Sequence, residues 1–192
     1  EGGTALANVL FGTVNPSGKM PITFPKNLAD NPSFNNYPGD KAVKYEEGIY
    51  VGYRHYESNR IETLFPFGHG LSYTRFDFDS LASPDSVKIG DEFQASLTIT
   101  NVGDVSGSEV VQLYIRDVEA SVDRPLKELK GFNKIHLDAG ESKLVSFAIN
   151  ELDLAFFDPG QEKWVTEPGE FELQIGNSSK DIKIQKTIYL IE

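Results

Sequence analysis

Two adjacent carboxylates, Glu46 and Glu47, come closest in this sequence to a pair that could do acid and nucleophile chemistry. They lie in the stretch YEEGIYVGYRHY, just before Arg54 and His55. Two carboxylates that flank a scissile bond at roughly 5 Å separation can act as proton donor and nucleophile. The stretch looks like a strand, however, and neighbours in a strand point to opposite faces. We therefore expect the two carboxylates not to converge on one substrate, and one of them to pair with Arg54 or Lys44.

The histidines give neither a catalytic triad nor a metal site. His69 lies between two glycines and could serve as a mobile general base, but only Ser72 is close to it and no second histidine has a triad spacing. His55 and His136 are scattered, and none of the three histidines stands in an H-x-x-x-H pattern. The chain has no cysteine, which removes thiolate ligands and nucleophiles. The sequence thus predicts no metal site and no cofactor.

Three other stretches suggest surface roles. Trp164, with Phe156 and Phe157 upstream, has the composition of a sugar-stacking platform, although aromatic residues at the edge of a sandwich more often pack in the core or between domains. Residues 177–179 form an Asn-Ser-Ser glycosylation sequon, which matters only in a eukaryotic secretory host. The basic stretch RPLKELKGF, residues 124–132, could be a docking patch, but we interpret it as a solvated strand and its turn.

Charge and hydropathy exclude two classes of partner. The formal charge is −11, from 18 basic and 29 acidic side chains, so a phosphate backbone or an anionic membrane would be repelled. No apolar run is long enough to span a bilayer, and the opening EGGTALANVL lacks the parts of a signal peptide. We expect no nucleic acid and no membrane as partners. The cellular compartment stays open because the absence of cysteine is neutral.

The elements that must position these residues differ between the two parts of the chain. Apolar residues at helical spacing predict a short helix behind Thr4, alternation predicts a strand over residues 20–24, and residues 25–45 read as a long loop. Residues 45–56 look like a strand interrupted by glycines. Such elements cannot bury enough apolar surface by themselves. We expect the first third to lean on polypeptide outside this chain, as the tail of a larger protein would.

From about Ser80 the pattern changes to short strands with period-2 alternation and turn residues between them. Roughly seven such strands fit a two-sheet β-sandwich of the immunoglobulin or fibronectin type III kind, and the lack of a cysteine pair favours the latter. The buried rows are predicted at Phe93 to Ile99, Val111 to Ile115, Val145 to Ile149, Phe171 to Ile175 and Ile182 to Leu190.

Several stretches, taken in order, resemble the C-terminal end of glycoside hydrolase family 3 in its β-glucosidase branch. They are GGTALANVLFGTVNPSGKMPITFPKN, YEEGIYVGYRHYE, LFPFGHGLSYTRFDF, VVQLYIRD, RPLKELKGF and LDAGE. The resemblance implies a (β/α)8-type barrel, an α/β sandwich and a fibronectin type III-like domain in the whole protein. Residues 1–56 would be the C-terminal part of the α/β sandwich domain, 57–80 a connector and 81–192 the fibronectin type III-like domain. The fold class is then mainly β.

The implied activity is retaining, exo-acting hydrolysis of terminal non-reducing β-D-glucosyl residues. The nucleophilic aspartate and the acid/base glutamate would both lie upstream, so we assign no catalytic, binding or metal residue to this chain and expect it to be inactive alone. Its role would be structural support for the catalytic domains. Its partners would be the rest of its own polypeptide and, through the missing domains, a β-glucoside or cello-oligosaccharide.

The stretch LFPFGHGLSYTRFDF would be the connector between the second and third domains. Residues 65–67 would anchor it in a groove, and the two glycines that follow would let the backbone turn tightly. Leu71, Tyr73 and Phe76 would enter the sandwich core. Its aromatic rings would therefore serve packing and not chemistry.

Three alternatives remain open from the sequence. The sandwich could be a carbohydrate-binding module that holds polysaccharide through Trp164, or a dimerisation module, which leaves a homodimer possible. The enzyme could also be a β-xylosidase of the same family, because the residues that bind the sugar lie elsewhere.

Overall fold

Strands dominate the chain after its first third. The structure, a computed structural model, describes residues 1–192. None of its helices has the length and apolar character that a membrane span requires. The elements in chain order are α1 (Gly2–Leu10), β1 (Phe24–Pro25), a 3₁₀ turn (Leu28–Asp30), α2 (Tyr53–Ser58), β2 (Thr63–Phe65), β3 (Phe76–Ala82), β4 (Ser86–Lys88), β5 (Phe93–Asn101), β6 (Gly107–Asp117), β7 (Glu128–Leu137), β8 (Ser142–Ile149), α3 (Glu151–Leu154), β9 (Phe156–Asp158), β10 (Lys163–Val165), β11 (Gly169–Gly176) and β12 (Ile182–Ile191).

Two sheets form a β-sandwich. One has five strands in the order β4-β12-β11-β6-β7, and the other has three in the order β3-β5-β8. Neighbouring strands are antiparallel, except that β4 runs parallel to β12. Two further antiparallel pairs, β1 with β2 and β9 with β10, lie outside these sheets. The predicted two-sheet sandwich is confirmed.

A single core of 19 buried apolar side chains fills the space between the sheets. Strand β5 shows how the sequence specifies it, since Ala95, Leu97 and Ile99 are at most 1% exposed and the residues between them turn outward. The same alternation holds in β8 and β11. Burying one Leu, Ile or Phe side chain contributes about 1.5–3 kcal/mol. The sandwich therefore has a hydrophobic core that owes nothing to the first third of the chain.

The first third has no comparable core, as its sequence predicts. Among the large apolar side chains of residues 1–73, only Tyr56 is buried. Helix α1 is confirmed, but it starts after Glu1 and not after Thr4. The strand expected over residues 20–24 is wrong apart from Phe24, where β1 begins. The Met20 backbone N–H donates to the His69 carbonyl, and the Met20 carbonyl accepts from the Gly68 N–H, so Met20 is not part of that strand.

Residues 45–56 do not form the predicted strand. Gly52 takes a φ of 57°, and α2 starts directly after it. Tyr53 and Tyr56, three positions apart, lie on one face of this helix. Tyr56 is buried, and the Tyr53 hydroxyl accepts a hydrogen bond of 2.7 Å from the backbone N–H of Leu129. Contact with the sandwich, and not local alternation, decides the structure here.

The connector also differs from its prediction. Strand β3 pairs with β5 and starts within the predicted connector. Of the three residues expected in the core, only Phe76 packs against it, since Leu71 is 73% exposed and Tyr73 is 52% exposed. The segment around Tyr73 instead packs against residues near the start of the chain. The Tyr73 backbone N–H donates to Asn15 Oδ1 at 2.8 Å, and its hydroxyl donates to the Val9 carbonyl at 2.6 Å.

The basic stretch of residues 124–132 enters the predicted strand, since β7 starts at Glu128, but the expectation that its charged side chains are solvated is wrong. The stretch packs under α2, where Lys127 forms a 2.7 Å ion pair with Glu57 and both side chains are only 11% exposed. Arg54 forms a 2.9 Å ion pair with Glu128. The docking interpretation of this stretch is therefore correct, and what docks on it is the first third of the same chain.

Candidate functional site

A polar cavity of about 550 Å³ contains the two carboxylates that the sequence singles out. Glu46 and Glu47 line it from the turn before α2, and His55 lines it from α2 itself. Asp123 lines it from the loop between β6 and β7. The cavity thus lies where the first third of the chain meets the sandwich.

The expected environment of the two glutamates is wrong. They lie in a turn and both face this cavity, so the strand argument for their divergence does not apply. Neither pairs with Arg54 or Lys44, because Arg54 is bound to Glu128. Glu46 is exposed, whereas Glu47 has a buried Oε2 atom with no hydrogen-bond partner. A buried acceptor of this kind is unusual, since such atoms are nearly always satisfied.

Tyr50 joins the cavity to the sandwich. Its hydroxyl donates a 2.6 Å hydrogen bond to Asp123 Oδ1. Burial, the hydrogen bond to Asp123 and the negative charge of that carboxylate together raise the pKa of Tyr50 to about 12. The pair holds the turn that carries both glutamates against the loop between β6 and β7.

We expect Tyr50 to ionise near pH 12, as one of three tyrosines, with Tyr56 and Tyr114, whose pKa is raised in the folded chain. Its folded pKa is above the ordinary value of 10, so the unfolded state releases this proton first. The stability contribution is complete below about pH 10 and is lost as the pH rises through the folded pKa. Spectrophotometric titration of phenolate absorbance should show a late step near pH 12 in the wild type. Tyr50→Phe should remove the amplitude of one tyrosine from this step, while the late ionisation of Tyr56 and Tyr114 remains.

Tyr45→Phe is the matched control, because Tyr45 is 82% exposed. This variant should keep the late step. A Tyr50→Phe titration that coincides with the wild-type curve at high pH would contradict the assignment.

Trp164 lies in a second cleft, of about 340 Å³, which shares Asp123 with the polar cavity. The predicted packing role is correct for Phe156, which is buried and lies 5.7 Å below the Arg124 guanidinium. Packing in the core is wrong for Trp164 and Phe157, which are 60% and 49% exposed in this chain, and packing between domains stays a prediction. Their rings meet edge to face with centroids 5.8 Å apart. They form an exposed aromatic ledge on the β9–β10 hairpin.

The other sequence candidates are not brought together. The His69 ring stacks on Phe65 at 5.2 Å, and Ser72 donates a hydrogen bond to Asn15. His136 is exposed beside Ser108. No group of three or more His, Cys, Asp or Glu side chains in the chain could hold a metal ion.

The fold buries most of the glycosylation sequon. Ser178 and Ser179 are 3% and 1% exposed. The Asn177 side chain is part-buried and donates to Glu109 Oε2 at 3.3 Å. A glycan could not be attached here without displacing these contacts.

A buried ion cluster was not foreseen from the sequence. Arg124 is 9% exposed and binds Asp117 at 2.9 Å and Glu128 at 2.7 Å. Burial alone would raise the pKa of Glu128, but the Arg124 hydrogen bond and the charges of Lys130, Arg54 and Arg124 lower it. Burial does raise the pKa of Asp117, against the attraction of Arg124. The only signal in the sequence is the alternation of basic and acidic residues in RPLKELK.

Two family profiles match this chain. The glycosyl hydrolase family 3 C-terminal domain matches residues 1–73, and the fibronectin type III-like domain matches residues 109–179. These matches confirm the predicted family resemblance and the fibronectin type III-like character of the sandwich.

Curated relatives agree with the profiles. Thermostable beta-glucosidase B of Acetivibrio thermocellus is 49% identical over 189 residues, which cover 97% of this chain and 25% of the relative. A probable beta-glucosidase I of Aspergillus oryzae is 43% identical over 202 residues, with 98% and 24% covered. The chain spans about a quarter of the length of these relatives.

Solved structures share the fold. A beta-glucosidase of Bifidobacterium adolescentis superposes with a TM-score of 0.93 at 40% identity, over 98% of this chain and 28% of that one. Beta-glucosidase 3B of Thermotoga neapolitana, solved in complex with glucose, gives a TM-score of 0.90 at 41% identity, over 97% of this chain and 26% of that one. At this identity the likeness extends to the packing of the first third on the sandwich.

Proposed function

The chain belongs to glycoside hydrolase family 3, and from this premise we propose that it is the C-terminal portion of a retaining, exo-acting β-glucosidase. The whole protein would hydrolyse terminal non-reducing β-D-glucosyl residues. The names of the relatives support glucosides over xylosides as substrates. The two domain types that match this chain support its place in such an enzyme.

We propose that this portion supports the catalytic domains. The observation that carries the proposal is the apolar surface of the first third, which no part of this chain covers. Its large exposed side chains include Leu6, Leu10, Phe11, Ile22, Leu28, Tyr37, Tyr45, Leu64 and Leu71, each at least 58% exposed. Monomeric proteins rarely leave so much apolar surface in water. Upstream polypeptide that completes an α/β sandwich would cover it.

The division into residues 1–56, 57–80 and 81–192 also remains a proposal. The separate core of the sandwich supports a boundary before it. Since β3 starts at Phe76 and pairs with β5, the connector would deliver the first strand of the third domain as well as joining it to the second.

In the proposed reaction an aspartate attacks the anomeric carbon, and a glutamate protonates the leaving oxygen and then activates water. Both would lie upstream of this chain. Glu46 and Glu47 would take no part in the chemistry.

The test compares the full-length protein with this chain on a chromogenic β-glucoside. We expect the full-length protein to turn over the substrate and the chain alone to be silent. In the full-length protein, Glu46→Gln and Glu47→Gln should each change kcat by less than about threefold, because a lost nucleophile or acid/base would cost orders of magnitude.

Glu92→Gln, at an exposed position of the sandwich, is the matched control for loss of a carboxylate. Turnover by the chain alone would overturn the proposal that the catalytic pair lies upstream. A collapse of kcat in either cavity variant, with Glu92→Gln unaffected, would assign that glutamate to the chemistry.

A further inference from the structure

We propose that the cavity at Glu46 and Glu47 and the cleft at Trp164 form one groove that binds a neutral oligosaccharide chain. The groove, called here the Trp164 groove, runs from the two glutamates past the Tyr50–Asp123 pair to the Trp164–Phe157 ledge. Asp123 lines both of its halves, which makes them adjacent. Their volumes of about 550 and 340 Å³ fall in the range of small-molecule sites.

The ledge supplies the apolar contact that a sugar ring needs. The C–H face of a pyranose packs on an aromatic ring, while its hydroxyl groups require donors and acceptors. Trp164 and Phe157 are paired residues of the β9–β10 hairpin, so the backbone ladder fixes their relative position. Rings held in this way lose little conformational freedom on binding.

The walls of the groove carry both basic and acidic side chains, which supply hydrogen-bond donors and acceptors. Arg54 and Lys130 line the Trp164 half together with Glu128, and Asp123 lies between the halves. An anionic ligand would meet the glutamates of the far half, and a cationic ligand would meet Arg54 and Lys130. A neutral chain with many hydroxyl groups can donate to the carboxylates and accept from the basic groups. This balance selects a saccharide over an ionic ligand.

The unpartnered Glu47 Oε2 points to the same ligand class. A buried carboxylate oxygen without a donor is costly, and a ligand hydroxyl is a donor of suitable size. The ledge would then hold one sugar ring while the glutamates hold a hydroxyl of another. The choice of a β-glucan oligosaccharide as the probe rests on the proposed function, but the groove itself rests on the geometry of this chain.

The experiment is a titration with cellotetraose of the 192-residue chain, on protein whose cooperative urea unfolding shows that the chain folds without the upstream polypeptide. Trp164 is its only tryptophan, so a change in tryptophan emission reports on the ledge directly. We expect saturable emission changes, and isothermal titration calorimetry should give the same Kd. Trp164→Ala should weaken that Kd at least about tenfold, as removing a central aromatic anchor does.

Phe132→Ala is the matched control, because Phe132 is a 67% exposed aromatic on β7 of the same sandwich and lines a different cleft. Its Kd should equal the wild-type value. The proposal is overturned if cellotetraose gives neither emission change nor heat, if Trp164→Ala binds as well as the wild type, or if Phe132→Ala weakens binding equally. Because the chain alone is expected to be silent in hydrolysis, failure of this titration leaves the test of glucoside turnover by the full-length protein unaffected.

Discussion

Replacing Arg124 with alanine is expected to lower the free energy of unfolding of this chain by about 3–5 kcal/mol, the usual cost of removing one partner from a buried ion pair. The guanidinium binds Asp117 and Glu128 and also donates to the Leu154 and Ala155 carbonyls. The variant would leave Asp117 Oδ2 and two carbonyl groups without their donor. It would also remove one partner of Glu128, which keeps its ion pair with Arg54. Urea unfolding followed by circular dichroism measures the change.

The effect of Arg124→Ala should depend on pH in a defined direction. In the wild type the pKa of Glu128 is lowered, so its contribution is present above the unfolded pKa and is lost as the pH falls through the folded value. Arg124 lowers the folded-state pKa of both Asp117 and Glu128, so without it both carboxyls take up protons at a higher pH in the folded state. The variant therefore loses less stability than the wild type as the pH falls. The difference between wild type and variant should be larger near pH 7 than near pH 4.

Arg116→Ala is the matched control. Arg116 pairs with Glu172 at a longer distance of 3.4 Å, and its side chain is 37% exposed. Exposed ion pairs contribute about 0–1 kcal/mol, so this variant should be nearly neutral. Equal decreases in the free energy of unfolding of the two variants would contradict the prediction that the buried Arg124 cluster stabilises the chain more than an exposed ion pair does.

The sandwich could be predicted from the sequence because the local pattern of apolar and polar residues in its strands indicates which side chains are buried. In β5 the apolar residues alternate with polar ones, and the sheet buries one set and exposes the other whatever the partner strand is. The buried rows of β8 and β11 follow the same local rule. Their positions therefore needed no knowledge of the rest of the chain. In β6 the other face is buried as well at Gln112 and Tyr114, where Tyr53 of the first third packs on Tyr114.

The first third could not be predicted in this way. Its residues bury little, so their periodicity carries no reliable signal. The backbone of residues 45–56 depends on the positive φ of Gly52 and on the contact between Tyr53 and Leu129. The second contact joins positions far apart in the chain, and a local pattern does not encode it.

The candidate site was predicted in part. The sequence singled out Glu46, Glu47 and Trp164, but as unrelated features. What relates them is Asp123, which comes from a loop that has no motif and touches both halves of the groove. Residues from separate segments meet through tertiary packing alone, which is why the groove was missed.

Replacing Asn101 with alanine is expected to lower the free energy of unfolding by about 3 kcal/mol, because its amide is fully buried and four groups would lose their hydrogen-bond partner. Its Oδ1 accepts from Thr74 Oγ1 at 2.5 Å and from the Gly103 N–H at 3.1 Å. Its Nδ2 donates to the Val105 carbonyl at 2.9 Å and to the Leu137 carbonyl at 3.1 Å. The amide thus ties the end of the connector, the β5–β6 turn and β7 to one point.

Asn133→Ala separates this role from the general cost of losing an asparagine. The Asn133 amide lies on β7 and makes a single hydrogen bond, of 3.3 Å, to the Ser146 carbonyl, so its loss should cost about 1 kcal/mol or less. Thr74→Val removes one of the four bonds to Asn101 and should fall between the two. If urea unfolding gives Asn101→Ala and Asn133→Ala the same loss, the buried amide is not what holds the connector to the sandwich. The attachments at this end of the sheet are then the hydrogen bonds of Asn15 and the bond from Val102 N–H to the Arg75 carbonyl.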